Sequence, residues 1–403
     1  MAHTEDRCAA PMPAPLTLSA RAQALQPSLT LAITAKARQL RAEGRDICSL
    51  SAGEPDFDTP AFIRAAATAA LEAGHTRYGP VAGEPALRAA IAAKLTGENG
   101  VSTRAEQVLV TNGGKQALYN LFQVLLDPGD ELLLPAPYWL SYPEMAHLAG
   151  AGVTLIPCDP GGGFRLDADR LEAAISPASR LLVLNSPGNP TGAVLSLDDL
   201  ERIAVVLRRH PRLAVVCDEI YEHLLSLGQR HHSLAAVAPD LAHRVFIVNG
   251  FAKGWAMTGW RIGWLAGAAE VVAAASALQS QSTSNVCTFA QYGALAAIEG
   301  PRDCLATMAE QFCERRTLLS EGLAGIDGLR LVPPQGAFYA FPDVSAWGLD
   351  SMTLCNRLLD EEGLAVVPGV AFGDDRCIRL SCAAGPDTLH DGLERLRRFV
   401  SRL

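Results

Sequence analysis

The chain carries thirty arginines but only four lysines: Lys36, Lys94, Lys115 and Lys253. A guanidinium stays protonated and cannot condense with a carbonyl, whereas a lysine amine can lose its proton and form a Schiff base. Where this sequence keeps an amine is therefore informative. Lys36 and Lys94 fall in helical patterns and are expected to be solvated. Lys115 and Lys253 each follow an apolar run and a turn containing glycine. Lys253 sits between Gly250 and Gly254, in a stretch rich in aromatics, with Arg261 eight residues on. A nearby cation lowers an amine's pKa and can also hold a phosphate. A surface loop lysine is the plain alternative, and the glycine and aromatic surroundings count against it.

Other residues offer matching chemistry. Asp218 ends the apolar run Leu213–Cys217, with Tyr221 three residues on. A carboxylate there can keep a cationic ring nitrogen protonated, and a helix N-cap is the bland alternative. Glu219, Glu222 and His223 lie close by in sequence, but no second His or Cys cluster has metal-ligand spacing, so no metal is expected. Asn185–Gly192, rich in Pro and Gly, makes a rigid turn presenting Asn189. Thr111-Asn-Gly-Gly-Lys-Gln116 opens a helix whose first N–H groups can bind a phosphate, although it lacks the Walker A spacing. Trp139 offers a face for a flat ring. Arg379 alternates with apolar neighbours and needs a partner, either a substrate carboxylate or a structural acid. The pair His231-His232 is expected to be exposed.

These residues need elements to position them. Val108–Val110, Glu131–Leu134, Leu181–Leu184, Ala214–Cys217 and Val245–Val248 read as buried strands. Helical patterns at Leu87–Leu95, Lys115–Leu126 and Leu197–Arg208 lie between several of them, which implies an α/β chain with a largely parallel sheet. Ligands bind such sheets beyond the carboxyl ends of the strands, where the motifs above fall. After Glu299-Gly300-Pro301 the pattern changes. A long helix to about Leu323, strands at Gly336–Phe341, Leu364–Val367 and Cys377–Ser381, a helix near Met352–Glu362 and a last helix suggest a smaller α/β unit. The expected division is a disordered leader over 1–15 (Pro11, Pro13 and Pro15 among Ala and charges), a segment 16–60 packing with the smaller unit, a large domain over 61–300 and a small one over 301–403.

Composition narrows the class. Net charge is −9 and hydrophobic residues make up 49% of 403, which argues for a packed chain and against nucleic-acid or anionic-membrane binding. The longest run without charge, Val271–Ile298, contains too many polar residues for a membrane span. The N-terminus lacks the unbroken apolar core of a secretory signal. Ten cysteines are scattered without a C-x-x-C, as expected of core residues in a reducing compartment. A cytoplasmic location is expected.

Taken together, Ala52–Pro60, Arg77–Gly83, Gly113–Leu118, Pro137–Pro143, Asn189–Gly192, Asp218–Tyr221 and Ala256–Arg261 resemble the motifs of the fold-type I, pyridoxal-phosphate-dependent aminotransferases of class I/II. The similarity is closest to the bacterial aspartate branch and covers about 16–400. The resemblance implies a large, mostly parallel seven-stranded sheet domain with a smaller α/β domain. It makes Lys253 the Schiff-base lysine, Asp218 the partner of the pyridine nitrogen, and Tyr221 and Asn189 donors to the ring's 3-oxygen. Trp139 should lie over the ring, and Gly113, Gly114, Lys115 and Arg261 at the phosphate end. Tyr78 should reach the cofactor phosphate of a neighbouring subunit, which implies a homodimer. Gly53, Asn189 and Arg379 should receive the substrate's α-carboxylate, with Trp139 also against the substrate and Lys115 facing a distal carboxylate. Ala252 stands where many relatives have Ser, and Gly188 replaces a common Asn.

The implied activity is ping-pong transfer of an amino group between an L-amino acid, aspartate or glutamate, and a 2-oxo acid. The alternatives are another donor (aromatic, prephenate-type or specialised) or a carbon–sulfur lyase using the same lysine. A non-catalytic regulator on the same scaffold would carry a DNA-binding domain and a basic surface, and neither is visible here.

Overall fold

The computed structural model describes residues 16–25 and 29–403; the expected leader over 1–15 lies outside the described residues. After a short strand β1 (Cys48–Ser49), seven strands build the main sheet: β2 (Val108–Thr111), β3 (Glu131–Ala136), β4 (Gly152–Pro157), β5 (Ser179–Asn185), β6 (Ala214–Asp218), β7 (Val245–Gly250) and β8 (Gly263–Ala266). Their order is β2-β8-β7-β6-β5-β3-β4. All pairings are parallel except those of β8, which is antiparallel to both β2 and β7. The seven-stranded, mostly parallel sheet matches the expectation.

The strands read as unbroken apolar runs because both faces are covered. Side chains alternate across the sheet. Val108, Val110, Leu182, Leu184, Val215 and Ile247 enter one core, while Leu109, Leu181, Val183, Val216, Phe246 and Val248 enter the other. Register then aligns the strand ends. Asn185 pairs with Asp218, and Asp218 with Val248, so β5 and β6 finish level and β7 runs two residues further at the same edge. Whatever follows them projects from one edge.

Beyond the sheet, β9 (Tyr339–Ala340), β11 (Val367–Pro368) and β12 (Ile378–Ser381) form an antiparallel sheet in the order β11-β12-β9. The strand β10 (Leu364–Ala365) pairs in parallel with β1. Helices Asp303–Ala324, Ser351–Glu362 and Pro386–Val400 cover these strands in a third core, which also takes in Tyr221. The expected strand Leu364–Val367 divides because the chain changes partner after Ala365, from β1 to β12. Gly336–Phe341 keeps ladder pairing only over Tyr339–Ala340.

Besides the two-residue β1, two strands of the main sheet escaped the sequence reading. The strand β4 lies at the sheet edge and is largely open to solvent, so its pattern carries little burial signal, and it ends on Pro157 as edge strands can. The strand β8 is four residues long and begins on Gly263. The charge-free run Val271–Ile298 folds as two helices, Ala269–Ser282 and Thr288–Glu299. Among the described residues no helix is long and apolar enough to cross a membrane.

Candidate active site

Five strand ends supply the site. The end of β2 leads to Gly113, Gly114 and Lys115, β3 to Trp139, β5 to Asn189, β6 to Asp218 and Tyr221, and β7 to Lys253. Eleven of the twelve residues singled out by sequence line one cavity of about 890 Å³. The exception is Tyr78, which is 91% exposed and lies outside it. The cavity runs on toward Arg38 and Arg41 of the helix Leu29–Ala42.

Lys253 is half-buried, and its amine donates to the Gly53 carbonyl. It also lies 5.5 Å from the Phe338 ring and 5.8 Å from that of Tyr221. Burial pushes its pKa down to about 8; Glu54 opposes the shift, Arg379 and Arg261 reinforce it, and Asp218 opposes it. A neutral amine is therefore accessible near neutral pH, as a nucleophile or proton carrier requires.

Asp218 is buried with neutral donors only. Its Oδ2 accepts from the Tyr142 hydroxyl at 2.7 Å and its Oδ1 from the Ile220 N–H at 3.3 Å. None of the described cations forms an ion pair with it. Burial lifts its pKa to about 6, although Tyr142 and Ile220 pull the other way. Buried carboxylates ordinarily have a cationic partner, so Asp218 is suited to a protonated ring nitrogen. No helix begins here, which removes the N-cap alternative.

Arg379 shows the opposite imbalance. It is 2% exposed, donates to Asn189 Oδ1 and to the Ser51 carbonyl at 3.0 Å each, and has no carboxylate partner among the described residues. Its Nε finds no acceptor. The guanidinium lies 4.4 Å from the Tyr339 ring and 4.9 Å from that of Phe372. A buried arginine with a free edge fits a carboxylate.

The phosphate-type end is a helix start. Gly113 has φ +80°, and a Cβ there would lie 2.7 Å from Arg261 Nη2. Only glycine lets the guanidinium rest against the beginning of the helix Gly114–Leu125, whose first N–H groups have no intrahelical acceptors. Arg261 itself is left-handed at φ 57°, an uncommon conformation for a non-glycine residue that is held here by a bond to the Thr258 carbonyl at 2.8 Å. Lys115 Nζ lies 5.0 Å from the Trp139 ring, and burial, then Arg261, pushes its pKa down. The residues fit a planar, cationic, phosphate-bearing ring with an amine beside it.

Several residues went unnoticed. Tyr142 holds Asp218, and burial and Asp218 keep its hydroxyl protonated well above the usual range. The Tyr339 hydroxyl lies 3.0 Å from that of Tyr221. Two expectations are corrected. Lys94 is not solvated: its side chain is 1% exposed and ion-paired with Glu222. His231 is not exposed: it lies against Glu219, with Nε2 3.1 Å from Oε2. Burial alone would lower the His231 pKa, but Glu219 outweighs it and the net shift is upward. Glu219, Glu222 and His231 bring metal-type ligand atoms within 4.8 Å of one another. Glu222 already faces the Lys94 ammonium, and Glu219 faces an imidazole whose pKa it raises, so the group reads as an ion pair beside a carboxylate–imidazole contact.

The family description "Aminotransferase class I and II" matches residues 45–396. The chain is 47% identical over 388 residues to an aspartate/prephenate aminotransferase of Thermus thermophilus, covering 96% of this chain and 99% of that protein. It is 45% identical to a bifunctional aspartate aminotransferase and glutamate/aspartate-prephenate aminotransferase of Petunia hybrida, covering 96% and 83%. Among solved structures, the Thermus thermophilus aspartate aminotransferase with maleate superimposes with a TM-score of 0.91 at 46% identity, covering 95% of this chain and 99% of that one.

Proposed function

This chain belongs to the class I and II aminotransferases, which depend on pyridoxal 5′-phosphate, and on that premise we propose that it moves the amino group of L-aspartate or L-glutamate to a 2-oxo acid by ping-pong turnover. The observation that carries the donor choice is an excess of cations without ion pairs lining one cavity, with Arg379 and Lys115 among them. Arg379 and Lys115 both line it, and neither has an ion pair among the described residues. A dicarboxylic amino acid satisfies both. Maleate in the Thermus relative is likewise a dicarboxylate. The room toward Arg38 and Arg41 suits a bulkier dicarboxylic acceptor, in keeping with the prephenate in relatives' names.

Bound in this cavity, pyridoxal phosphate supplies an aldehyde that condenses with amines and a cationic ring that draws electrons from a substrate's α-carbon. Asp218 holds the proton on the ring nitrogen, and Tyr142 holds Asp218. Tyr221 and Asn189 donate to the ring's 3-oxygen, and Trp139 covers the ring. The backbone of the Gly113-Gly114-Lys115 turn and the Arg261 side chain form the phosphate end, which leaves the Lys115 amine for the substrate. Arg379, Asn189 and Gly53 orient the α-carboxylate, with Trp139 beside the substrate and Lys115 facing the distal carboxylate. Lys253 Nζ would take the proton from the donor's α-carbon and, in the second half of the cycle, would give a proton to the α-carbon of the 2-oxo acid as it becomes an amino acid.

The active unit we propose is a cytoplasmic homodimer. Exposed Tyr78, outside its own cavity, is free to serve the partner's phosphate end, and the described cysteines are all unpaired, as in a reducing compartment. We divide the chain into 16–60, 61–300 and 301–403, the first packing with the last, as the pairing of β1 with β10 favours. A donor panel tests the substrate choice. Aspartate or glutamate should give the highest kcat/KM, and an aromatic donor that exceeds both by tenfold overturns it. Pyruvate and ammonia formed without an oxo-acid acceptor would instead mark a lyase.

A further inference from the structure

The buried lysine outside the cavity, Lys94, leads behind the site. Lys94, on the helix Pro85–Gly97, is buried against Glu222 and donates to Asn99 Oδ1 at 2.8 Å. Asn99 Nδ2 returns a bond to Glu222 Oε2 at 2.8 Å. The other oxygen, Oε1, also accepts from Asn249 Nδ2 at 2.8 Å. Asn249 belongs to β7, just before the loop that carries Lys253, and its Oδ1 accepts from the Gly250 N–H at 2.7 Å. Glu222 follows Tyr221 directly and lies four residues beyond Asp218. One carboxylate therefore joins the two strand ends that supply the acid and the amine of the site.

The neighbours leave that joint little slack. A Cβ on Gly250 would lie 2.9 Å from Gly263 Cα and from the Ile262 carbonyl oxygen. A Cβ on Gly254, next to Lys253, would lie 2.9 Å from His223 Cδ2. His223 in turn meets the Trp255 ring edge-on at 5.1 Å, and its Nε2 is 3.3 Å from Glu222 Oε1. Alongside, Glu219 accepts from Ser233 at 2.7 Å, and its backbone N–H donates to Val248 in β7. The charged and titratable groups facing Glu222 are thus Lys94 from its helix, His223 on its own turn, and Glu219 and His231 beside it.

We propose that Glu222, held by Lys94, is a positioning residue that fixes the Lys253 loop relative to Asp218 and Tyr221 through Asn249. The proposal rests on Lys253 being the cofactor lysine. A shift of about 1 Å at a reacting group can cost on the order of a hundredfold in rate, so a rigid joint here has a direct catalytic return.

Asn249→Ser tests it, because serine cannot reach Glu222 while the Lys94 pair stays intact. Glu222→Asp is the second variant: it keeps a carboxylate on the same side of Lys94 but withdraws the oxygen that meets both Lys94 and Asn249. Three quantities are read on the cofactor-loaded protein: kcat against KM, the pH midpoint of the visible absorption change, and Tm. The expected result for either variant is a kcat roughly tenfold to a hundredfold lower, KM within about twofold and a midpoint moved by about half a unit or more. A lowered Tm with unchanged kcat and midpoint overturns the proposal, as does wild-type behaviour in all three. Lys253→Ala separates the two levels. If it keeps the lysine-linked absorption, the reading of Lys253 fails. If it loses that absorption while Asn249→Ser behaves as wild type, only the positioning role falls.

Discussion

Two sets of charged side chains flank Asp218–His223, and they follow opposite rules. In front, facing the cavity, charges lack partners: Asp218 has neutral donors only, and Arg379 has neutral acceptors and an idle Nε. Behind, partners are present: Lys94 pairs with Glu222, and the His231 imidazole, its pKa raised by Glu219, lies against that carboxylate. Glu222 shows what matching does. Burial alone would raise its pKa, yet Lys94, His223 and His231 outweigh burial and hold it well below the usual carboxylate range. Asp218, equally buried but unmatched, moves up instead. Burying an unmatched charge costs stability. The front set bears that cost because a cofactor and a substrate complete it; the rear set completes itself and fixes position.

The contrast can be broken from either side. The largest effect belongs to Lys253→Ala. General acid–base catalysis alone is worth roughly 10²–10⁴-fold, so transamination in a coupled assay should fall by at least that much. Full turnover in this variant would sink the mechanism.

On the matched side, Glu222→Gln leaves buried Lys94 with only the partly exposed Glu98 carboxylate, 3.9 Å away. The expected loss is about 3–5 kcal/mol in urea unfolding. The double variant Lys94→Met/Glu222→Gln should recover most of it. A neutral single variant would show that the pair is not what holds this region.

Arg379→Leu should do the reverse. Hydrogen bonds to a charged group are worth roughly 1.5–3 kcal/mol, so kcat/KM for aspartate should fall about tenfold to a hundredfold, mainly through KM. The cofactor-free protein should be no less stable, since an unmatched buried charge is removed. A marked loss of Tm would place Arg379 among the structural residues instead.

The smallest effect is a pH dependence. The Asp218 pKa is raised to about 6, so the cofactor-free fold binds this proton more tightly than the unfolded chain does. The sign follows from linkage: the destabilising contribution grows as pH rises from the usual carboxylate range through about 6 and is complete above it. In cofactor-free protein Asp218→Asn should raise Tm by a few degrees near pH 8 and change little near pH 4. An equal effect at both pH values would contradict the assignment.

The front set was legible in the sequence and the rear set was not, for a physical reason. Asn189, Asp218 and Lys253 each follow an apolar run, so strand-end placement and residue type speak together. The partners of Lys94 and His231 are brought in by the fold: Glu222 is 128 residues from Lys94. One signal was available. Leu87, Ile91 and Lys94 are spaced i, i+4 and i+7 on the same helix, and the two apolar residues are fully buried, which puts Lys94 on the inward face. Tyr142 sits in the quoted stretch Pro137–Pro143 and Tyr339 in an apolar run, and nothing local reveals that one hydroxyl meets Asp218 and the other Tyr221. The strands β4 and β8 were missed for the opposite reason: an edge strand and a four-residue strand carry too little burial pattern to read.

The most direct test of the central claim is the visible absorption of the purified protein, recorded with pyridoxal phosphate and again after adding L-aspartate. A yellow band that bleaches with aspartate is the predicted result: a cofactor held on Lys253 and a working first half-reaction with a dicarboxylic donor. A band indifferent to aspartate but bleached by another amino acid would contradict the donor assignment alone. No band, even with added pyridoxal phosphate, would contradict the account as a whole.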